Sequence, residues 1–129
     1  MTAKSLALII GVIFIAVGLL GFVDNPIVGT SENVIFHADQ THNIVHIVSG
    51  ALFVLVALAA PGAVVGFMVL FGLVYLGLGV LGLVTMGKEG MGELLGFLHI
   101  NANDNYLHIG LGIVILLAGI ASRRTRVAP

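Results

Sequence analysis

The segment HADQTHNIVHIVSG at residues 37–50 indicates the architecture of this chain, because the same pattern returns at residues 99–112, HINANDNYLHIGLG. Both stretches fit H-x5-N-x2-H-x3-G and each opens an apolar segment. Histidine and asparagine are scarce in so apolar a chain, so matches between them carry more weight than matches of leucine or valine. The matched pairs are His37 with His99, Asn43 with Asn105, His46 with His108, and Gly50 with Gly112. The sequence therefore predicts two copies of one structural unit.

Composition identifies lipid as the solvent of this chain. Of its 129 residues, 59% are hydrophobic and 9% are charged, whereas a soluble domain is typically about 25% charged. The chain contains no cysteine, which excludes disulfides and thiolate metal sites. A net charge of −1 and the lack of a basic run argue against nucleic acid as a partner. The expected partner is the lipid bilayer.

Four apolar stretches, at residues 5–23, 41–60, 63–86 and 105–122, approach the roughly 20 residues that a membrane-spanning helix needs. The first and third stretches also match, with glycines at 11, 18 and 21 corresponding to glycines at 72, 79 and 82. We therefore expect an all-α membrane protein with four transmembrane helices in an up-down-up-down bundle. Two tandem helical hairpins, residues 5–60 and 63–122, would form one membrane domain of residues 1–129, related by a pseudo-two-fold axis along the membrane normal. The repeated glycines predict close helix packing within the chain.

Charge predicts the orientation of the bundle. Lys4, Arg123, Arg124 and Arg126 lie at the end that holds both termini, while the acidic residues lie on the other side. The positive-inside rule then places both termini in the cytoplasm. The two longer loops and all five histidines would face outward, in or near the outer half of a bacterial plasma membrane.

The histidines are the candidate site. Asn43, His46 and Gly50 share a helical stripe, and Asn105, His108 and Gly112 form its counterpart. If the stripes face each other, His46 and His108 converge, and His37 and His99 can fold over them as a lid. Ionisable groups at membrane depth point to function because they are costly unless partnered.

Four interpretations of this constellation stay open. In the first, a polar network of Asn43, Asn105 and Asp104 ties the helix ends together, with each Asn bonded to a His or to a free backbone N–H. In the second, His37, His42, His46, His99 and His108 bind zinc or copper, with His42 and His46 one helical turn apart. In the third, His46 and His108 hold haem beside Gly50 and Gly112. In the fourth, the histidines sense protons.

Two local features complete these expectations. Thr41 and Asp104 precede apolar runs and are predicted as helix N-caps. The apolar end of the second long loop, residues 94–98, is predicted to enter the membrane interface as a short helix or turn.

The segments His42-Asn43-Ile44-Val45-His46 and Asn101-Ala102-Asn103-Asp104-Asn105-Tyr106-Leu107-His108 resemble those of a group of small bacterial four-helix integral membrane proteins of unknown function. Members show H-N-x-x-H before the second helix and N-x-x-D-N-x-L-H before the fourth. The resemblance covers nearly the whole chain. It implies the fold and the membrane location, and it carries no activity that could be transferred.

Motifs of self-contained enzymes are missing from the sequence: there is no nucleophile–base pair of hydrolase type, no phosphate loop and no paired-carboxylate site. We therefore expect a structural or accessory subunit, in a homo-oligomer or a larger membrane complex. The alternative is a metal- or haem-binding membrane protein that uses His46 and His108 with His37 and His99.

Overall fold

The computed structural model describes residues 1–127, with side chains described as far as Arg123. Four helices dominate it, and each is long and apolar enough to cross a membrane. They are α1 (Ala3–Leu20), α2 (Gln40–Ala59), α3 (Val64–Met86) and α4 (Ala102–Val127). Four short strands lie in the loops: β1 (Val28–Gly29), β2 (Phe36–His37), β3 (Met91–Leu94) and β4 (Leu98–Asn101). The expected four-helix membrane bundle is confirmed.

The up-down order of the helices follows from the chain segments that lie together at one end of the bundle. Met1, Lys4, Pro61 and Ala121 line the same groove, so the N-terminus, the α2–α3 turn and the end of α4 lie together. Pro61 opens a single 3-10 turn, Pro61–Ala63, that reverses the chain. The strands, and with them the histidines, lie at the opposite end. The side chains of Arg124 and Arg126, on which the orientation argument partly rests, lie outside the described residues.

Glycine seams hold α1 against α2 and α3 against α4. A Cβ added to Gly11 would lie 2.8 Å from the carbonyl oxygen of Gly50, and one added to Gly72 would lie 2.6 Å from the backbone nitrogen of Leu116. The backbones are therefore in direct contact, as small residues allow in lipid, where no expulsion of water drives helices together. The expected intramolecular packing of the repeated glycines is confirmed in both hairpins.

An aromatic column fills the space between the two hairpins. Phe14 of α1 meets Tyr75 of α3 edge to face, with ring centroids 5.1 Å apart. Phe53 packs on Phe67 and Phe71 at centroid distances of 4.9 and 5.0 Å. Such tilted contacts each contribute about 0.5–1.5 kcal/mol beyond area burial. The column fixes how far apart the hairpins stand and leaves the space above it to the histidines.

Both outer loops form small sheets instead of a plain coil. Strands β1 and β2 pair in parallel, and β3 and β4 form an antiparallel hairpin with Leu94 opposite Leu98. Leu95 and Gly96 turn the hairpin with φ of 56° and 80°. Leu94, Leu98 and Ile100 are buried against Val45, Leu78 and Met86. The turn expected within residues 94–98 is confirmed at residues 95–97, whereas Leu94 and Leu98 on either side of it belong to strands β3 and β4 and not to a short helix.

Both predicted N-caps are wrong, because α2 and α4 each begin earlier than expected. Asp39 caps α2 by accepting a hydrogen bond from the His42 backbone N–H at 2.9 Å. At α4, the Asn101 side chain accepts from the Asp104 N–H at 3.0 Å, while the Asp104 carboxylate accepts from the Asn101 N–H at 2.7 Å. This reciprocal pair is a capping box. Thr41 and Asp104 therefore lie inside the first turns of their helices.

The glycine seams predict a contrast between two substitutions on α3. Gly79→Ala should destabilise the bundle by about 1–3 kcal/mol, the usual effect of overpacking, because the new methyl would lie 2.7 Å from the Asn105 carbonyl oxygen. Gly77→Ala is the matched control, since no heavy atom lies within 4 Å of its Cβ position. Thermal unfolding in a mild detergent measures both. Equal loss of stability in the two variants would contradict the seam.

Candidate metal centre

Three buried histidines converge at the outer end of the bundle; we call His42, His46 and His108 the inner triad. Their side chains are 2%, 7% and 4% exposed. One ligand nitrogen from each can be chosen so that all three lie within 4.8 Å of one another. His42 and His46 share a face of α2 because they are one turn apart, and His108 approaches from α4. Among the described residues, this is the group of potential ligands that lies close enough to hold one ion.

Hydrogen bonding fixes the state of the His42 ring. Its Nδ1 lies 2.8 Å from the backbone carbonyl oxygen of His99. A carbonyl oxygen can only accept, so Nδ1 carries the proton and donates it. The Nε2 of the neutral ring then presents a lone pair. A backbone carbonyl on the second nitrogen is also the usual means of fixing the tautomer of a metal-binding histidine.

The lone pair of His42 points toward its neighbour on the helix. His42 Nε2 and His46 Nε2 are 3.1 Å apart. Two imidazole nitrogens bound tetrahedrally to one zinc ion at about 2.0–2.1 Å stand roughly 3.4 Å apart. The observed separation is therefore close to that of two ligands on one ion. Without an ion, the same contact is a hydrogen bond donated by His46.

The triad also holds nitrogen atoms that hydrogen bonding leaves unused. Nδ1 of His46 and Nδ1 of His108 are buried and have no hydrogen-bond partner among the described residues. An unsatisfied buried polar group costs roughly 1–3 kcal/mol. Nδ1 of His108 is therefore available to a ligand, whereas an ion bound at Nε2 of His46 would leave the Nδ1 of that ring protonated.

Aromatic rings close the inward side of the triad. Phe14 stacks on His46 at 5.5 Å between centroids, and Tyr75 meets His108 edge-on at 5.5 Å. Phe14 and Tyr75 occupy matching positions of the two repeats. The Tyr75 hydroxyl donates to Ser49 Oγ at 3.4 Å. These rings hold two imidazoles in place and separate them from the apolar core below.

A small cavity of about 100 Å³ lies on the other side of the triad. It extends from beneath strand β2, where Phe36 and Ala38 line it, to His42 and His46. Asp104 lies on its wall. A space of this size can hold a few water molecules, each of which takes up about 30 Å³ in the liquid. The triad is thus closed toward the bundle centre and open toward the outer loops.

The remaining two histidines, His37 and His99, form a separate group that we call the outer pair. Their ring centroids are 4.2 Å apart. His37 is buried on β2 and His99 half-buried on β4. Burial lowers the pKa of His37 below its ordinary value of 6.5, and the neighbouring His99 lowers it further. The His37 ring is therefore neutral at neutral pH.

Asp104 joins the first loop to the fourth helix. Besides the Asn101 N–H, its carboxylate accepts a hydrogen bond from the His37 backbone N–H at 3.1 Å. The side-chain amides of Asn101 and Asn103 both donate to the Ile35 carbonyl oxygen, at 3.1 and 2.9 Å. The first loop is thereby attached to the second repeat, which positions His37 beside His99.

The residues of each predicted Asn–His–Gly stripe face different neighbours: the histidines face each other, and the asparagines and glycines face the other helix of their own hairpin. His46 and His108 do approach each other, with ring centroids 6.1 Å apart. The asparagines instead lie in the seams, where the Asn43 amide packs on Gly21 and the Asn105 amide on Gly82. Neither the nitrogen nor the oxygen of the Asn105 side-chain amide has a hydrogen-bond partner in the described part of the chain. The expected Asn105–His bond is therefore wrong, because the amide faces the hairpin partner and not the triad.

Gly50 and Gly112 also belong to the seams. A Cβ on Gly50 would lie 2.5 Å from the Gly11 carbonyl oxygen, and one on Gly112 would lie 2.7 Å from the Leu76 Cα. Their small size serves helix contact, and the neighbouring backbone fills the space that a flat ligand would need. His42 has no histidine counterpart in the second repeated pattern, yet the structure places it in the triad. Asn101 as a cap was missed, although its three-residue spacing to Asp104 is a capping-box signal.

The fold and the buried histidines together define a multi-pass membrane protein with a polar cluster between its helices. The family described as "Domain of unknown function (DUF4383)" matches residues 4–121. The chain belongs to this family, and the expected membership of an uncharacterised family is confirmed. Comparisons with curated proteins and with solved structures give no significant match. The family supplies no activity, so function must be argued from the residues.

Two capping carboxylates should differ in their contribution to stability. Asp104→Ala leaves the backbone N–H groups of His37 and Asn101 without their acceptor. Each buried N–H that loses its acceptor costs about 1–3 kcal/mol. Asp39→Ala removes one cap bond, which typically costs about 1 kcal/mol. Thermal unfolding should therefore show the larger loss for Asp104→Ala. A smaller loss than in Asp39→Ala would contradict the proposed tie between loop and helix.

The outer pair predicts opposite shifts in the titration of His37. His99→Ala should raise the pKa of His37 toward 6.5, because one of the causes that lower it is removed. Asp39→Asn keeps an oxygen for the α2 cap and should lower that pKa, since the Asp39 charge favours protonated His37. NMR titration of isotope-labelled histidine measures both. Shifts of the same sign in the two variants would contradict this geometry.

Proposed function

We propose that this protein is a metal-binding integral membrane protein whose inner triad holds one transition-metal ion. The observation that carries the proposal is the 3.1 Å separation of His42 Nε2 and His46 Nε2, with the His42 lone pair fixed by the His99 carbonyl. His108 supplies the third nitrogen from the second repeat. An ion at this point would link the two hairpins at their outer ends.

The donor set selects a class of metal. Neutral imidazole suits zinc, copper, iron and nickel, whereas calcium and magnesium prefer oxygen ligands. Three protein ligands leave the fourth position of a tetrahedral ion available to water or another small ligand. The cavity of about 100 Å³ beside His42 and His46 provides space for such a ligand.

The geometry favours a bare ion over haem. A pocket for a drug-sized ligand has a volume of about 300–1,000 Å³, whereas the cavity at the triad has about 100 Å³. His42 Nε2 also lies 3.1 Å from His46 Nε2, in the space that a ring bound by His46 would need. Gly50 and Gly112, the expected walls of a haem pocket, are in contact with neighbouring helices.

The second candidate is a structural or accessory subunit whose polar residues tie the helix ends together, in a homo-oligomer or a larger membrane complex. The bonds from Asp104 to His37 and Asn101 support it, because they attach the first loop to the second repeat. This role alone gives no reason for placing ligand nitrogens of three buried histidines within 4.8 Å of one another. It is therefore the weaker of the two.

Both candidates share a location. We propose that the chain resides in a bacterial plasma membrane with both termini in the cytoplasm. Lys4 and Arg123 at the end that holds the termini support this orientation through the positive-inside rule. The outer pair would then face the extracytoplasmic side. The division into repeats at residues 5–60 and 63–122 within a single membrane domain belongs to the same proposal.

Metal content provides the test. Protein purified in mild detergent, stripped with chelator and reloaded with zinc should retain about one ion per chain by elemental analysis. The variants His42→Ala, His46→Ala and His108→Ala each remove a ligand. Each should lower zinc affinity by roughly 10–100-fold or more, since removing only the hydrogen-bond partner of a metal ligand already causes a loss of that size. Cobalt in place of zinc should show the absorption of a tetrahedral site.

The matched control is His99→Ala, which removes an imidazole but keeps the backbone carbonyl that holds His42. It should retain one zinc ion per chain at equilibrium. Wild-type protein that retains no zinc, copper, iron or nickel would overturn the metal proposal and favour the structural role. Full retention in His46→Ala would remove the triad as the site.

A further inference from the structure

The outer pair lies between the aqueous phase and the inner triad. His99 is half-buried, whereas His37, at 8% exposed, is about as well buried as His46 of the triad at 7%, so the pair meets the aqueous phase through His99. Both rings stand on loop strands, with centroids 4.2 Å apart. They form a second cluster of metal-binding side chains, and the inner triad does not require them as ligands.

Backbone contacts connect the pair to the triad. The carbonyl oxygen of His99 accepts the Nδ1–H of His42, so the residue that carries one outer imidazole also orients an inner one. Phe36 and Ala38, on either side of His37, line the cavity that reaches His42 and His46. The cavity therefore reaches from the backbone beside His37 to two of the inner ligands, and the outer imidazoles themselves are not among its lining residues.

Charge on the loops favours the approach of cations. Residues 21–39 and 87–101 contain five acidic side chains and one basic side chain, Lys88. Glu93 stands directly opposite His99 in the β3–β4 hairpin. A surface of one sign raises the local concentration of counter-ions and the rate at which they associate.

We propose that the outer pair is a separate metal subsite that captures a divalent cation from the extracytoplasmic phase and passes it to the inner triad at His42, which the His99 backbone contacts. This inference rests on the proposed function. Two imidazoles bind an ion less tightly than three, so the outer subsite exchanges its ion and the inner one retains it. Transfer replaces two metal–nitrogen bonds by three, releases bound water and involves no change of oxidation state.

Rapid mixing of metal-free protein with Co²⁺ tests the transfer, since the absorption of the tetrahedral inner site reports its filling. His37→Ala, His99→Ala and the double variant should fill the inner site at least about tenfold more slowly, a difference within the range by which a surface field changes on-rates. Their final content should equal that of wild type. Asn33→Ala, an exposed loop change that removes no charge, is the matched control and should fill at nearly the wild-type rate.

A second measurement detects the outer subsite directly. His46→Ala removes the tight site, and the remaining weak Co²⁺ binding should disappear when His99→Ala is added. This comparison does not require the variant that lacks both His37 and His99 to fold. His37→Gln and His99→Gln should reproduce the slow filling with less change of volume.

Three outcomes would overturn the inference. Wild-type rates in the outer-pair variants would show that the ion reaches the triad by another path, and the proposed function would stand. Loss of the retained ion in these variants would make the pair part of one site and end the two-subsite scheme. Wild-type protein without any Co²⁺ absorption would overturn the proposed function and the inference together.

Discussion

Direct contact between helix backbones is the constraint on which the rest of this structure depends. In lipid, α1 and α2 are not pressed together by the expulsion of water, so they need close packing. Gly11 and Gly50 provide it in the first hairpin, and Gly72 and Gly112 in the second. This contact fixes the rotation of α2 and α4 about their axes. Because the glycine face turns toward the hairpin partner, the neighbouring histidine face turns toward the bundle centre.

The histidine cluster follows from that rotation and from the stiff loops above it. A nitrogen of an imidazole buried among apolar helices is costly unless it finds a partner, since water cannot satisfy it. His42 uses one nitrogen on the His99 carbonyl and directs the other at His46. Asp104 holds the His37 backbone in place and thereby brings the first loop to the second. Loops that carry so many hydrogen bonds can position ligands as firmly as helices do.

Much of this arrangement could be predicted from the sequence, and the failures have identifiable causes. The repeated H-x5-N-x2-H-x3-G pattern predicted two hairpins, and it predicted that His46 and His108 would approach each other. It also suggested a symmetric four-histidine site, whereas the structure brings His42 into the triad and leaves His37 and His99 outside it. Spacing along a helix gives the relative angle of two side chains. It does not say which element each of them faces.

Hydropathy and repeat spacing are local properties of the chain, and they were enough to predict four helices apolar enough to span a membrane, their up-down order in the bundle and the end of the bundle that carries the histidines. Only the tertiary structure decided that Asn105 packs on Gly82, that residues 94–98 belong to a strand hairpin, and that one backbone carbonyl sets the tautomer of His42. Those outcomes depend on contacts between residues far apart in the chain, and a one-dimensional pattern does not contain the distances that fix them.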